Sequence, residues 1–360
     1  MKKILRVIFV ILLMVLLVAG GLLGFLSVDE FNPPDVMTLE VQGEADRMIR
    51  AGEPVRIMTW NMGYGALGDN ADFFMDGGKM VYSADKERVE ANLDRDIEII
   101  EEISPDILCV QELDRNSDRS HFVDESDYLI SGSGADVFAG NNVFAPNFKV
   151  AFVPLPVPPI GKVFAGLEVF SSARISEASR LSLPCPFSWP LRTFNLKRCL
   201  EVVRMPVENS DRELVIVNLH LEAYDSGEGK IAQTNMLKSV LDDEIQKGNY
   251  VIVAGDFNQV FSTTDVSRYP VLEGRWEAGT INADEFNPDL TFYADPDVPS
   301  CRSLDRVLET APSRDPSDFQ YYVIDGFIAS SNVSVQSVHT ADYSFVSSDH
   351  NPVIMEFSLQ

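Results

Sequence analysis

Two β-sheets packed face to face, with helices on their outer surfaces and one membrane-spanning helix in front, form the α/β fold class that this sequence predicts. Short apolar strand-like runs outnumber helical ones, the two clear helical segments are amphipathic on one side only, and no long alternation of strand and helix is sustained. The chain has 360 residues, 45% of them hydrophobic, enough for a large core. Such a length fits two ordinary domains or one large sandwich. A single unit over residues 54–360 is expected here.

The first 26 residues stand apart. Lys2, Lys3 and Arg6 precede an uncharged run from Val7 to Leu26. About 20 residues at roughly 1.5 Å each reach about 30 Å, the thickness of a bilayer's hydrocarbon core. A cleaved signal peptide is the alternative, which would make the protein secreted. Its apolar region is usually shorter, about 7–15 residues, and Gly24–Phe25–Leu26–Ser27 makes a poor cleavage site. The expectation is therefore a retained single-pass anchor over residues 1–26 in the cell membrane. The basic flank stays inside and the rest of the chain lies outside the cytoplasm. Residues 27–53, acidic and carrying Pro33–Pro34, read as a spacer.

Strand and helix signals begin at Val55. Val55–Thr59 and Ile107–Val110 are apolar strands, and Ala84–Ile103 between them places Val89, Leu93, Ile97 and Ile100 at helical spacing. Further strands are expected at Val150–Val153, Leu167–Phe170, Cys199–Met205, Leu214–Leu219 and Tyr250–Ala254. Gly229–Lys247 reads as a helix closed by Gly248. Tyr322–Ala329, Val333–Val338 and Pro352–Phe357 complete the set.

Charge narrows the function. With 55 acidic against 29 basic residues the formal net charge is −26. That surface repels DNA, RNA and anionic lipid at long range, so nucleic acid is expected only as a substrate, and no stable protein partner is predicted. Acidity suits a site that recruits a hard cation through carboxylates. Of the four cysteines, Cys109 reads as a buried thiol, while Cys185 and Cys199 could pair across a loop of about 15 residues.

Polar residues recur where the apolar strands end. Asn61 follows Ile57–Trp60, Glu112 follows Ile107–Val110, and His220 ends Leu214–Leu219. Asp256 and Asn258 follow Val251–Ala254, Asp325 follows Tyr322–Ile324, and Asp349–His350 precedes the last strand. Singly, each has a bland explanation: a turn asparagine, a hairpin aspartate, a hydrogen-bonded core histidine. Together they do not, because an unpartnered buried carboxylate costs several kcal/mol. The repetition makes sense if the strand ends converge on a shared cation. Two of the four histidines fall in this set; His121 and His339 do not, and read as structural or surface residues.

The ordered segments Thr59–Trp60–Asn61, Pro105 to Glu112, Asn218–Leu219–His220–Leu221, Gly255–Asp256–Phe257–Asn258, Ile324–Asp325 and Ser348 to Pro352 resemble the endonuclease/exonuclease/phosphatase superfamily. The resemblance implies a DNase I-like four-layer α/β sandwich and Mg²⁺- or Mn²⁺-dependent hydrolysis of phosphate esters. It implies Glu112 as the principal metal ligand, with Asn61 and Asp349. Asp256 would orient or deprotonate the attacking water, and Asn258 would hold that water or a phosphate oxygen. His350 would contact the scissile phosphate, with Asp325 fixing its tautomer, and His220 would stabilise charge on the phosphoryl oxygens.

Some segments depart from better-known nucleases of that family. The long loop from Gly63 to Val81 carries Asp69, Asp72 and Asp76 and reads as solvated. Phe152–Ile160 and the stretch from Pro184 to Pro190 are apolar and turn-rich, suiting either packed loops or a surface that touches lipid. The anchor, the apolar loops and the Asn-Leu-His-Leu segment favour a lipid-headgroup phosphodiesterase resembling a sphingomyelinase. A surface nuclease and a non-catalytic binding module on the same fold are the rivals.

Overall fold

The computed structural model describes residues 2–225, 227–310 and 318–360. Two seven-stranded sheets stack face to face. One runs Val36–Thr38, Glu177–Ser182, Cys199–Pro206, Glu213–His220, Tyr250–Asp256, Asp325–Ser330, Leu290–Tyr293 from edge to edge. The other runs Val333–Thr340, Val353–Leu359, Val55–Asn61, Ile107–Asp114, Gly161–Ser171, Asn141–Val153, Val41–Gly43.

Each sheet is antiparallel except for one parallel pair: Val55–Asn61 with Ile107–Asp114, and Glu213–His220 with Tyr250–Asp256. Parallel neighbours need a crossover, and in both cases it is a helix. Lys86–Ile103 joins the first pair and Glu228–Gln246 the second. Asp85 caps the first helix by accepting from Arg88 N at 2.9 Å, and Ser104, left-handed at φ 51°, ends it before Pro105. Past the second, Gly248 takes φ 81°.

Alternation along the strands builds the layers. Ile57, Ile107, Ile216 and Ile252 point between the sheets. Their neighbours Met58 and Leu108 point outward, against Val89, Leu93 and Ile100 of the first helix. Val215 and Val251 meet Leu237 and Leu241 of the second. The expected four-layer sandwich is therefore the fold.

Several elements differ from the sequence reading. Val150–Val153 and Leu167–Phe170 are parts of a longer hairpin, Asn141–Val153 with Gly161–Ser171, whose register slips twice. Asn141, Asn142, Pro146 and Asn147 interrupt its first half and hid it. Tyr322–Ala329 is not one strand: Tyr321–Tyr322 pairs with Cys301–Arg302, and Asp325 opens a separate strand. Cys185 and Cys199 are unpaired; Cys185 is exposed, while Cys199 is buried at the start of its strand. The stretch expected to be a spacer supplies Val36–Thr38 and Val41–Gly43, which pair with one sheet each. Ahead of it, Lys2–Asp29 is a single helix, long and apolar enough to cross a membrane and exposed along its apolar length.

At position 255 the close approach of two strands demands glycine. Gly255 has φ 150°, and a Cβ there would lie 2.0 Å from the Leu219 carbonyl oxygen. Gly255→Ala must push apart the parallel pair that carries His220 and Asp256. It is expected to lower the Tm by roughly 5 °C or more. A melting curve matching the parent's would contradict this role.

Candidate active site

The two parallel pairs end side by side and deliver Asn61, Glu112, His220 and Asp256. A β-bulge aims Glu112: the register of its strand shifts between Val110 and Leu113, and Glu112 itself sits at φ 53°. The strained backbone turns the carboxylate out of the sheet alternation.

Asn61 Nδ2 lies 3.1 Å from Asp256 Oδ2 and 3.3 Å from Glu112 Oε1. The other Asp256 oxygen accepts from the Asn258 backbone N–H at 2.8 Å. Asn258, at φ 50°, donates its amide to the Leu221 carbonyl. His220 Nε2 stands 3.4 Å from Asp256 Oδ2, and His350 Nε2 stands 3.8 Å from the same oxygen. His350 Nδ1 meets Asp325 Oδ2 at 2.8 Å. All eight residues singled out in the sequence thus come together, seven of them lining one cleft of about 500 Å³ with Asp325 directly behind His350.

Burial divides the titrations. It holds the His220 imidazole well below its usual range, helped by the nearby Arg198 charge, so this ring is neutral. Burial also opposes charge on His350, but the Asp325 carboxylate outweighs it and holds that ring well above the usual range. Asp256 is pushed up to about 7 by burial and by Asp325. Asp349 is likewise pushed up to about 7 by burial, with Glu112 adding to it.

These acids fit a hard cation. Asp349 Oδ1 is buried and has no hydrogen-bond partner among the described residues, and the Glu112 charge acts on it directly. Oxygen donors from Glu112, Asp349 and Asn61 are what Mg²⁺ or Mn²⁺ prefers. Two tighter groupings also occur: Cys301, Asp349 and His350, and Asp256, Asp325 and His350, each with potential ligand atoms within 4.8 Å of one another. Glu112 belongs to neither.

Other residues in the site were given no role of their own by the sequence. Ser300 donates from Oγ to Asp325 Oδ2 at 2.7 Å and accepts from the Ile324 and Asp325 backbones. Trp60 Nε1 donates to the His350 carbonyl at 2.9 Å, tying the last motif to the first. Behind the floor, Gln111 Nε2 reaches across the sheets to Asn218 Oδ1 at 2.7 Å, and Asn218 Nδ2 reaches Glu201 Oε2 at 2.9 Å. A carboxylate inside the apolar run Cys199–Met205 was the available hint for Glu201. The loop after Gly63 is not simply solvated. Tyr64, Leu67 and Ala71 are buried, and Phe74 and Asp76 line the cleft. His121 and His339 lie outside the cleft, and His121 Nε2 sits 2.8 Å from the Ala84 carbonyl.

Residues 58–350 match the Endonuclease/Exonuclease/phosphatase family. The chain belongs to that family. Solved structures agree on the fold. An endonuclease/exonuclease/phosphatase from Beutenbergia cavernae aligns with TM-score 0.54 at 20% identity, over 85% of this chain and 72% of that one. Another from Bacteroides vulgatus gives 0.51 at 14%, over 86% and 100%. The human Nocturnin catalytic domain with bound sulfate gives 0.50 at 19%, over 89% and 97%. At such identities the likeness shows the fold alone. No curated protein matches the sequence significantly.

For an endonuclease/exonuclease/phosphatase chain with these acids, metal and pH act together. Asp256 and Asp349 bind protons more readily folded than unfolded, so the metal-free protein loses stability as pH rises from about 4 towards 7. A divalent cation would bind the deprotonated acids. The gain in Tm on adding Mg²⁺ or Mn²⁺ is therefore expected to grow from pH 5 to pH 8 in a thermal-shift series. A gain that is constant or shrinks over that range would contradict the assignment.

Proposed function

We propose that this protein is a membrane-anchored, extracytoplasmic phosphodiesterase that depends on a divalent metal and acts on a lipid headgroup. The observation that carries the hydrolytic reading is the convergence of Asn61, Glu112, His220, Asp256, Asn258, Asp349 and His350 in one cleft. Glu112, Asn61 and Asp349 would hold Mg²⁺ or Mn²⁺. When bound, the cation supplies positive charge against the phosphate and the surrounding carboxylates.

The protein's own groups divide the remaining work. Asp256, titrating near neutrality, takes the proton of the attacking water, which Asn258 helps to hold. Neutral His220 offers a hydrogen bond to a phosphoryl oxygen. Charged His350, fixed through Nδ1 by Asp325, directs Nε2 at the phosphate and donates a proton or hydrogen bond there.

The cleft walls support a lipid over a nucleic acid. Phe74, Phe148, Leu155, Phe187 and Phe194 give it an apolar side. Its arginines are already engaged: Arg119 with Asp114, Arg198 with Glu222, Arg275 with Asp305, and Arg302 with the Gly68 and Ser303 carbonyls. A strand-tracking nuclease normally needs free basic groups.

The catalytic unit then comprises residues 54–360 with the two short strands of residues 27–53 added to it, behind an anchor at residues 1–26. Protease added to sealed vesicles or spheroplasts is expected to digest the domain and spare the first helix; a protected domain would refute the orientation.

The decisive assay uses the full chain with sphingomyelin, phosphatidylinositol, plasmid DNA, RNA and an aryl phosphodiester, each with Mg²⁺, Mn²⁺ or EDTA. Glu112→Gln and His350→Ala are each expected to lower turnover by about 10²-fold or more without altering circular dichroism. Near-normal turnover in either variant would refute its assignment. Metal-dependent cleavage confined to DNA or RNA would establish the nuclease instead.

A further inference from the structure

The first helix is fastened to the catalytic domain at the point where its apolar run stops. Leu26 is buried, and Ser27 Oγ accepts from Trp189 Nε1 at 3.0 Å. Asp29 Oδ2 accepts from the Ala151 backbone at 2.6 Å, and Glu30 pairs with Lys197 at 2.8 Å and Arg192 at 3.4 Å. The helix ends at Asp29, and by Val36 the chain is already paired with the edge of a sheet. The domain is thus held in a set orientation against the helix.

The segments that grip the helix are the two apolar loops. Ala151 lies near the tip of the hairpin formed by Asn141–Val153 and Gly161–Ser171, and Trp189, Arg192 and Lys197 belong to the 185–197 segment. Each has two faces. Inward, Leu155, Pro156, Phe187 and Phe194 line the cleft that ends at Asp256 and His350. Outward, Leu155, Val157, Trp189 and Leu191 are 54, 88, 54 and 48% exposed. Four large apolar side chains so placed leave much of their surface uncovered by the described residues.

We propose that these loops form a rim resting in the bilayer around the base of the first helix, so that the cleft opens towards the membrane and its phosphodiester substrate enters from the lipid. This rests on the phosphodiesterase reading for the substrate but not for the rim. Three observations select lipid as the occupant. The rim is continuous with a helix long and apolar enough to cross a membrane. Trp189 is hydrogen-bonded to the residue just past the apolar run, the interfacial level at which tryptophan is favoured. The basic groups at the rim, Arg192 and Lys197, are paired with Glu30, so contact is apolar and suits zwitterionic rather than anionic lipid.

The test places an environment-sensitive fluorophore at Val157→Cys in the full chain, with exposed Cys185 replaced by Ser and the other three cysteines buried. The protein is reconstituted in phosphatidylcholine vesicles containing a lipid with a nitroxide near the headgroup. Ser337→Cys, on the strand at the opposite edge of the hairpin's sheet, is the control. Emission from position 157 is expected to be blue-shifted and quenched about twofold or more, with position 337 unaffected. Quenching no greater than at 337 overturns the proposal. So does a blue shift without quenching, which would mean that a second copy or another protein covers the rim. The readout needs no turnover; hydrolysis of a soluble aryl phosphodiester in the same vesicles reports separately on the enzyme.

Discussion

The gathering of several carboxylates at the edge of the sandwich where two parallel strand pairs end is the constraint on which the rest of the structure depends. Each parallel pair needs a crossover helix, so the two helices, the outer layers and the direction of the strand ends follow from a single requirement. Because both pairs end at the same edge of the sandwich, Glu112, Asp256, Asp325 and Asp349 are brought together where water is scarce. Two are pushed up to about 7 as a consequence. Hydrogen bonds offset part of the cost: Asn61 bridges Glu112 and Asp256, and Ser300 serves Asp325. The orphaned Asp349 oxygen is the remainder, and a cation is the group whose chemistry fits it.

Most of the site was legible because its residues announce themselves locally. A polar side chain beside the end of an apolar strand stands out in one dimension, and eight of these converge in three. Ser300 could not be read this way. It acts on Asp325 across 25 positions, from a turn with no periodic signal. Trp60 belongs to one of the resembling segments but carried no role there, although its indole N–H holds the His350 backbone 290 positions away. The bulge that aims Glu112 was hidden as well, since a register shift belongs to the pairing with a partner strand. Fold class was readable from the density of strands, while the extent of individual strands was not. Asn141–Val153 opens with two asparagines whose side chains find their partners on other elements, Asn141 on the Gln42 carbonyl and Asn142 on Glu168.

The same limits apply to the apolar loops. Composition left two meanings open for Phe152–Ile160 and Pro184–Pro190, packed or lipid-facing. In three dimensions each loop packs on one side, lining the cleft, and bares Val157 or Trp189 on the other. The strands at Val36–Thr38 and Val41–Gly43 bear on this too, because they leave little slack between helix and domain. A polar, metal-suited floor and an apolar mouth beside the first helix together form a site graded from ionic to hydrophobic. An amphipathic phosphodiester has that same gradient.

Titration of Mn²⁺ into the full chain at pH 8, followed by the electron paramagnetic resonance signal of the free ion, tests the shared-cation claim most directly. Saturable uptake is expected, weakened about tenfold or more by Glu112→Gln and by Asp349→Asn and retained in Asp325→Asn. No uptake by the parent chain, or uptake unchanged in both ligand variants, would mean that the carboxylates are gathered for some purpose other than holding a metal.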